Sequence, residues 1–232
     1  MSSISSKPAT LPARKTARTV TRNTTRTVPQ QERSERRVAA FLAAAAQLFA
    51  EKGYDAVTMT EVAARSGSSI GALYNYFPDK PSLAYTLAVS YTHDLESRWK
   101  PMIEQAASLT HREFAELFVD ILIGFIGECP AYLSLVLAPV RFRRNPEARR
   151  ASRLMLSNAF RARNPALTGD ESFLMANICL MLLPGMMALY AEAEPKARPA
   201  VVREWKSLLA GYLKAHLAAK SAPSRKPSAA LR

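Results

Sequence analysis

Glycine is scarce in this chain, 8 of 232 residues, and cysteine and tryptophan occur only twice each. The glycines are too few and too scattered for a phosphate-cradling loop, and no Gly-rich nucleotide motif is found. No run alternates apolar and polar residues as a half-buried strand would. Cys129 and Cys179 lie far apart in apolar surroundings, with neither CxxC nor His spacing. They read as reduced packing residues of a cytosolic protein, which excludes a disulfide scaffold or a zinc site. The three histidines, His93, His111 and His216, are scattered. With no paired carboxylates, Ser/His/Asp set or Cys/His pair either, no catalytic residue, metal or cofactor is assigned.

Acidic residues are also in short supply. Lys and Arg number 32 against 19 Asp and Glu, a formal charge of +13. Residues 1–32 hold six Lys/Arg and one acid, and residues 220–232 hold four Lys/Arg and none. These ends, rich in Ser, Thr, Pro and Arg, are expected to be disordered. Their basicity suits a polyanion such as DNA. Solvated tails, or an over-extended start site, account for it equally well, and both readings stay open. A transit peptide is disfavoured because no apolar face is present.

One stretch lacks charge altogether. Residues 173–191, FLMANICLMLLPGMMALYA, are long enough to cross a bilayer. Asn177, the central Pro184-Gly185 pair, Glu171 and Glu192 at the ends, and flanks without Lys/Arg clustering argue against a span. The segment is expected to be buried in a protein core or an oligomer interface.

What remains reads as helix. Apolar residues at 38, 41, 42, 45, 48 and 49 recur at helical spacing, and Gly53 supplies a stop. Thr58 and Glu61 form a capping-box pattern opening a short helix that Ser66-Gly67 ends. Ser68 or Ser69 can cap the next helix, and Asp79 the one after, with Pro81 tolerated in its first turn. Further helices are expected over 114–128, 132–139, 146–160, 170–191 and 198–219.

The stretch SSIGALYNYFPDK, residues 68–80, is the most informative. On a helix of about 100° per residue, Leu73 and Phe77 share one face with Ile70 beside them, so these three are expected to point inward. Asn75 then points outward between Gly71 and Ala72, with Tyr74 and Tyr76 on opposite shoulders. Small outward residues allow close approach to base edges, and one amide can make a bidentate contact to adenine. The tyrosine hydroxyls can reach the flanking phosphate strands, and Lys80 supplies a point charge. Two short helices joined by a turn containing Gly67 make a helix-turn-helix.

The segment AAAAQLFAEKGYDAVTMTEVAARSGSSIGALYNYFPDKPSLAYTLAV resembles the DNA-binding domain of the tetracycline-repressor (TetR) family of bacterial transcriptional regulators. The matching elements are LFAEKGY, Thr58, EVAARSG, S-x-G-x-LYNYF, and Asp79, Lys80 and Leu83. The resemblance implies an all-α homodimer with an N-terminal three-helix helix-turn-helix domain and a larger helical ligand-binding and dimerisation domain. It implies phosphate contacts at Thr58, Tyr76, Lys80 and often Tyr74, and base contacts at Ser69, Ile70, Gly71, Ala72 and Asn75. Ile70 is the one position where the wheel and the family differ, since the family usually exposes a residue there. Ser68 stands where a valine usually packs the turn, and Pro81 where an acid is usual.

The expected organisation is a basic tail (1–32), the DNA-binding domain (33–92), the effector-binding and dimerisation domain (93–219) and a second tail (220–232). The two C-terminal helices are the expected dimer interface. Candidates for an effector pocket are Trp99, Phe118, Phe125, Cys129, Tyr132, Phe142, Met155, Phe160, Met181 and Met186, most of them expected to be ordinary core. Their character suggests an apolar or aromatic small molecule. The basic run at 140–153 suits an anionic effector or, more readily, a solvated helix face. The function expected is a cytoplasmic, bacterial, ligand-responsive repressor that binds a palindromic operator in double-stranded DNA, with no membrane partner. The alternative is an architectural DNA-binding protein that uses its basic tails without an effector.

Overall fold

A computed structural model describes residues 27–138 and 146–217, with side chains placed over 31–138 and 150–217. Phe142 and most of both tails lie outside the described residues. Among the described residues the chain is all-helical, with nine α-helices and no strand. They are α1 (Thr27–Ala56), α2 (Met59–Arg65), α3 (Ile70–Tyr74), α4 (Lys80–Glu104), α5 (His111–Glu128), α6 (Pro130–Leu137), α7 (Pro146–Arg163), α8 (Gly169–Glu192) and α9 (Arg198–Leu217). A 3-10 turn, Ala106–Ser108, joins α4 to α5.

The chain divides into two units, 1–37 and 38–232. In the first, helix begins at Thr27, inside the stretch expected to be tail. Its exposed side chains pair along the helix, Gln31 to Glu35 at 3.1 Å and Arg36 to Glu32 at 3.7 Å.

The second unit has two hydrophobic cores. The smaller is built from α1 to α4 around Phe41, Phe49, Leu73 and Leu83, all fully buried. Two residues of α6, Ala131 and Leu135, are buried in this same core. The larger core gathers α4 to α9 around Trp99, Phe114, Leu122, Phe125, Phe160 and Leu213. It holds Tyr132, the residue of α6 next to Ala131. Thus α6 has one foot in each core, and Tyr91 of α4 packs against both. The break between α5 and α6 falls at Cys129-Pro130, where the chain bends by 102° because Pro130 has no N–H to continue the ladder.

Helix α8 is the only described helix long and apolar enough to cross a membrane. Its apolar residues divide between two faces. Ser172, Met175, Ala176, Cys179, Leu183 and Met187 are buried at helical spacing, against neighbouring α6, α7 and α9. Leu174, Ile178, Met181, Leu182 and Leu189 form an exposed stripe opposite. The buried Ser172 hydroxyl lies 2.8 Å from that of Ser157, so the polar pair satisfies itself where α7 crosses α8.

Candidate nucleic-acid interface

Helices α2 and α3 are short, and their caps set where they start and stop. The Thr58 hydroxyl accepts the Glu61 N–H, and the Glu61 carboxylate accepts the Thr58 N–H at 2.9 Å. At the other end Gly67 sits at φ +66°, and the Ser68 and Gly67 N–H groups return to the Ala63 and Ala64 carbonyls at 3.0 and 3.1 Å. This left-handed stop turns the chain sharply without orphaning the last carbonyls. Two residues later the Ser69 hydroxyl accepts the Ala72 N–H at 3.2 Å and opens α3.

Ion pairs hold α2 on α1. Arg65 makes a bidentate pair with Glu51 at 2.8 and 2.9 Å. Lys52 reaches Glu61 at 2.6 Å. The Glu61 carboxylate therefore serves Lys52 on one oxygen and Thr58 on the other, which pulls its pKa down to about 2. The Thr58 hydroxyl donates to Glu61 as well as accepting from it, so its polar hydrogen is already in use.

Helix α3 buries Leu73 completely and exposes Gly71 and Asn75. Asn75 is the C-cap residue, still right-handed at φ −67°, with its backbone N–H on the Gly71 carbonyl. A Cβ placed on Gly71 would meet nothing within 4 Å, so no neighbour among the described residues requires that residue to be small. Ala72 is half-buried, and Ser69 is exposed.

Two expectations need correcting. Ile70 does not face inward; it is 38% exposed. The wheel assumed a nine-residue helix, but α3 has five residues, and Ser69 before it is extended at ψ 151°. The isoleucine is the helix's first residue, so no preceding turn of α3 lies beside it. Nor are the tyrosine shoulders alike. Tyr74 is 50% exposed, whereas the Tyr76 ring packs 5.8 Å from Phe41 and is half-buried.

Lys80, at the start of α4, is more engaged than a free phosphate ligand. Its ammonium donates to the Tyr54 carbonyl at 3.0 Å and the Asp55 carbonyl at 3.1 Å, and lies 4.5 Å above the Tyr54 ring. Nothing in the local sequence signals this tie, because its acceptors are backbone groups.

The candidate effector residues fall into several places. Trp99 and Phe118 stack at 4.3 Å, with the Trp99 indole N–H on the Phe118 carbonyl at 3.1 Å. Phe118 and Phe160 line one gap with Phe114, Leu156, Cys179 and Leu209, four residues not anticipated as lining. That gap has about 140 Å³ of empty space, open solvent included, and none of it is wide enough for a water molecule. Burial pushes the Cys179 thiol up to about 12, so it acts there as an apolar group. Phe125, Tyr132 and Tyr91 form an edge-on aromatic cluster at the α4–α5–α6 junction, with ring separations of 5.1 to 6.0 Å. Cys129 is half-buried at the α5–α6 bend, and Met155 and Met186 are also half-buried. Met181 is no lining residue: it is 65% exposed, in the middle of the α8 stripe. Helix α8 is apolar nearly all round, so its sequence cannot tell the inward face from the outward one.

Comparison with known proteins agrees with this geometry. Residues 41–84 match the model of bacterial regulatory proteins of the tetR family, and residues 110–213 match the tetracyclin repressor-like C-terminal domain. No curated protein matches significantly. Among solved structures, a TetR-family transcriptional regulator from Streptomyces coelicolor is similar at 21% identity and a TM-score of 0.58, over 78% of this chain and 99% of that one. A putative TetR-family regulator from Mesorhizobium loti MAFF303099 has 23% identity and a TM-score of 0.57, over 79% and 98%. The regulatory protein TetR from Rhodobacter sphaeroides has 18% identity and a TM-score of 0.54, over 75% and 97%. At these identities the structures speak for the fold, while the two family models together cover more than half the chain. The chain belongs to the TetR family: it is a DNA-binding transcriptional regulator, not an enzyme.

Proposed function

We propose that this regulator is a cytoplasmic repressor that binds a palindromic operator as a homodimer and is released by a small apolar or aromatic effector. Helix α3 is the recognition helix. Ser69, Ile70, Gly71, Ala72 and Asn75 face the base edges, and Thr58, Tyr74, Tyr76 and Lys80 face the phosphates.

The observation that carries this reading is the bare outer face of α3. Gly71 is the second residue of the five-residue α3, and among the described residues nothing lies within 4 Å of the Cβ it lacks, so no packing there calls for a glycine. A surface that must let another molecule approach the backbone accounts for it. Asn75 stands next to this opening, exposed, and no hydrogen bond to its amide is found among the described residues. Because the Thr58 hydroxyl donates to Glu61, it must turn that hydrogen away from the carboxylate before it can donate to a phosphate. Ile70, exposed as it is, suits apolar contact with a thymine methyl.

The regulatory half supports the rest of the reading. The exposed stripe on α8, with Leu208 exposed on α9, is the surface a twofold partner would cover. The gap lined by Phe114, Phe118 and Phe160 is too narrow even for a water molecule, so an effector must part these side chains to enter. Helix α6 is rooted in both cores and would carry that displacement to the helix-turn-helix, as a shift between two populations. The proposal assigns residues 33–92 to DNA binding and 93–219 to effector binding and dimerisation, with 1–32 and 220–232 as tails.

Asn75→Ala tests the recognition surface. Losing a bidentate base contact costs about 1–3 kcal/mol and is expected to relax the preference at one base pair of each half-site. Unchanged affinity and unchanged preference, measured by competition between operator variants, would remove Asn75 from the readout.

A further inference from the structure

Lys80 does something in the free protein that a phosphate ligand need not do. Its two acceptors, the Tyr54 and Asp55 carbonyls, stand 26 and 25 positions earlier in the chain. Everything between them and Lys80 is the α1–α2 connection, α2, the turn, α3 and the Asp79 cap. One ammonium therefore ties together the two ends of the segment that carries the recognition helix.

The tie is built on several independent features. Gly53 leaves the helical region at φ +77° and ψ +166°, which turns the carbonyls that follow it away from the α1 ladder. A lysine ammonium is the natural partner for carbonyls at a helix's C-terminal end, where the backbone dipoles leave partial negative charge. The Tyr54 ring, itself buried, lies under the charge at 4.5 Å and covers one side of it. At the other end, Asp79 caps α4 through the Ser82 N–H at 2.7 Å, which holds the first turn that carries Lys80.

We infer that Lys80 is a positioning residue, which fixes the orientation of α2 and α3 by pinning the α1–α2 connection to the start of α4. This inference rests on the reading of α3 as the recognition helix. It changes what a substitution should do. A residue that only neutralises a phosphate contributes equally to every DNA sequence, and its loss reduces the slope of log affinity against log salt by about 0.9 per contact. A residue that sets the angle of the recognition helix contributes only where bases are read. Its loss lowers the ratio of specific to non-specific affinity.

The test compares wild type with Lys80→Met, which keeps an apolar stem over Tyr54 and removes the ammonium, and with Lys80→Arg, which keeps the charge. Each full-length protein is titrated against a duplex selected by the wild type from random DNA, and against a shuffled duplex, over a range of salt. Thermal midpoints and amide exchange over residues 53–58 are measured without DNA. The positioning role predicts a lower midpoint and faster exchange for Lys80→Met. It also predicts a ratio of specific to shuffled affinity reduced by about tenfold, the effect of losing a charged hydrogen bond worth roughly 1.5 kcal/mol. Lys80→Arg should recover part of both. Equal loss on the two duplexes, or a changed midpoint with an unchanged ratio, overturns the inference. If the wild type itself selects no sequence, the recognition reading fails instead, before any variant is made.

Discussion

Glu61 ties α1 to the start of α2, holding Lys52 of α1 through one oxygen and the Thr58 cap through the other. The Lys52 hydrogen bond, and then those from Thr58, pull its carboxyl from 4.5 to about 2. The folded state thus binds this proton more weakly than the unfolded chain does. The network's contribution to stability is complete above about pH 4.5 and is lost as the pH falls through about 2. Thermal midpoints of wild type and Glu61→Gln should therefore differ at neutral pH and converge as the pH is lowered across that window. A gap that stays constant down to pH 2 would mean the carboxylate charge is not what holds the cap. Residue-scale features of this kind were only half legible in the sequence. Thr58 and Glu61 announce themselves by their spacing, and Ser69 and Asp79 by their places before helices. Lys80 does not, because its partners are carbonyls that any residue could supply.

At the scale of elements, two glycines carry the turns, and they do so in different conformations. Gly67 sits at φ +66° with open space around it, so an alanine there pays only for the left-handed backbone. Gly53, at φ +77° and ψ +166°, lies in a region that is essentially closed to other residues. Gly67→Ala should cost about 1–2 kcal/mol and Gly53→Ala more, up to about 3 kcal/mol, by denaturant unfolding. The reverse order would mean that the α1 break is softer than its backbone angles imply. The starts of α2, α3 and α4 were readable because Thr58, Ser69 and Asp79 mark them, whereas the end of α3 at Tyr74, short of Pro78, was not. Nor were the faces of two helices. A five-residue helix such as α3 is too short for a wheel to orient its first residue, hence Ile70. In α8 the apolar residues run all round, so neither the exposed stripe nor the place of Met181 could be read from periodicity.

At the scale of the whole molecule, the proposal requires two copies. The α8 stripe from Leu174 to Leu189 has no cover among the described residues, and Met181 at its centre is 65% exposed. Met181→Glu should therefore leave the monomer folded by circular dichroism. Sedimentation should show a dimer for the wild type and a monomer for the variant, with operator affinity lost in parallel. A variant that remains dimeric and DNA-bound would move the interface elsewhere. The central claim is sequence-specific reading by a twofold pair of α3 helices. Its most direct test is selection of bound sequences from a random DNA pool by the full-length protein at physiological salt. The prediction is an inverted repeat whose half-site centres lie about 34–36 Å apart, one turn of DNA or a multiple of it. Binding without any enriched motif, and lost when residues 1–32 are removed, would contradict it and favour an architectural protein that holds DNA through its basic tails.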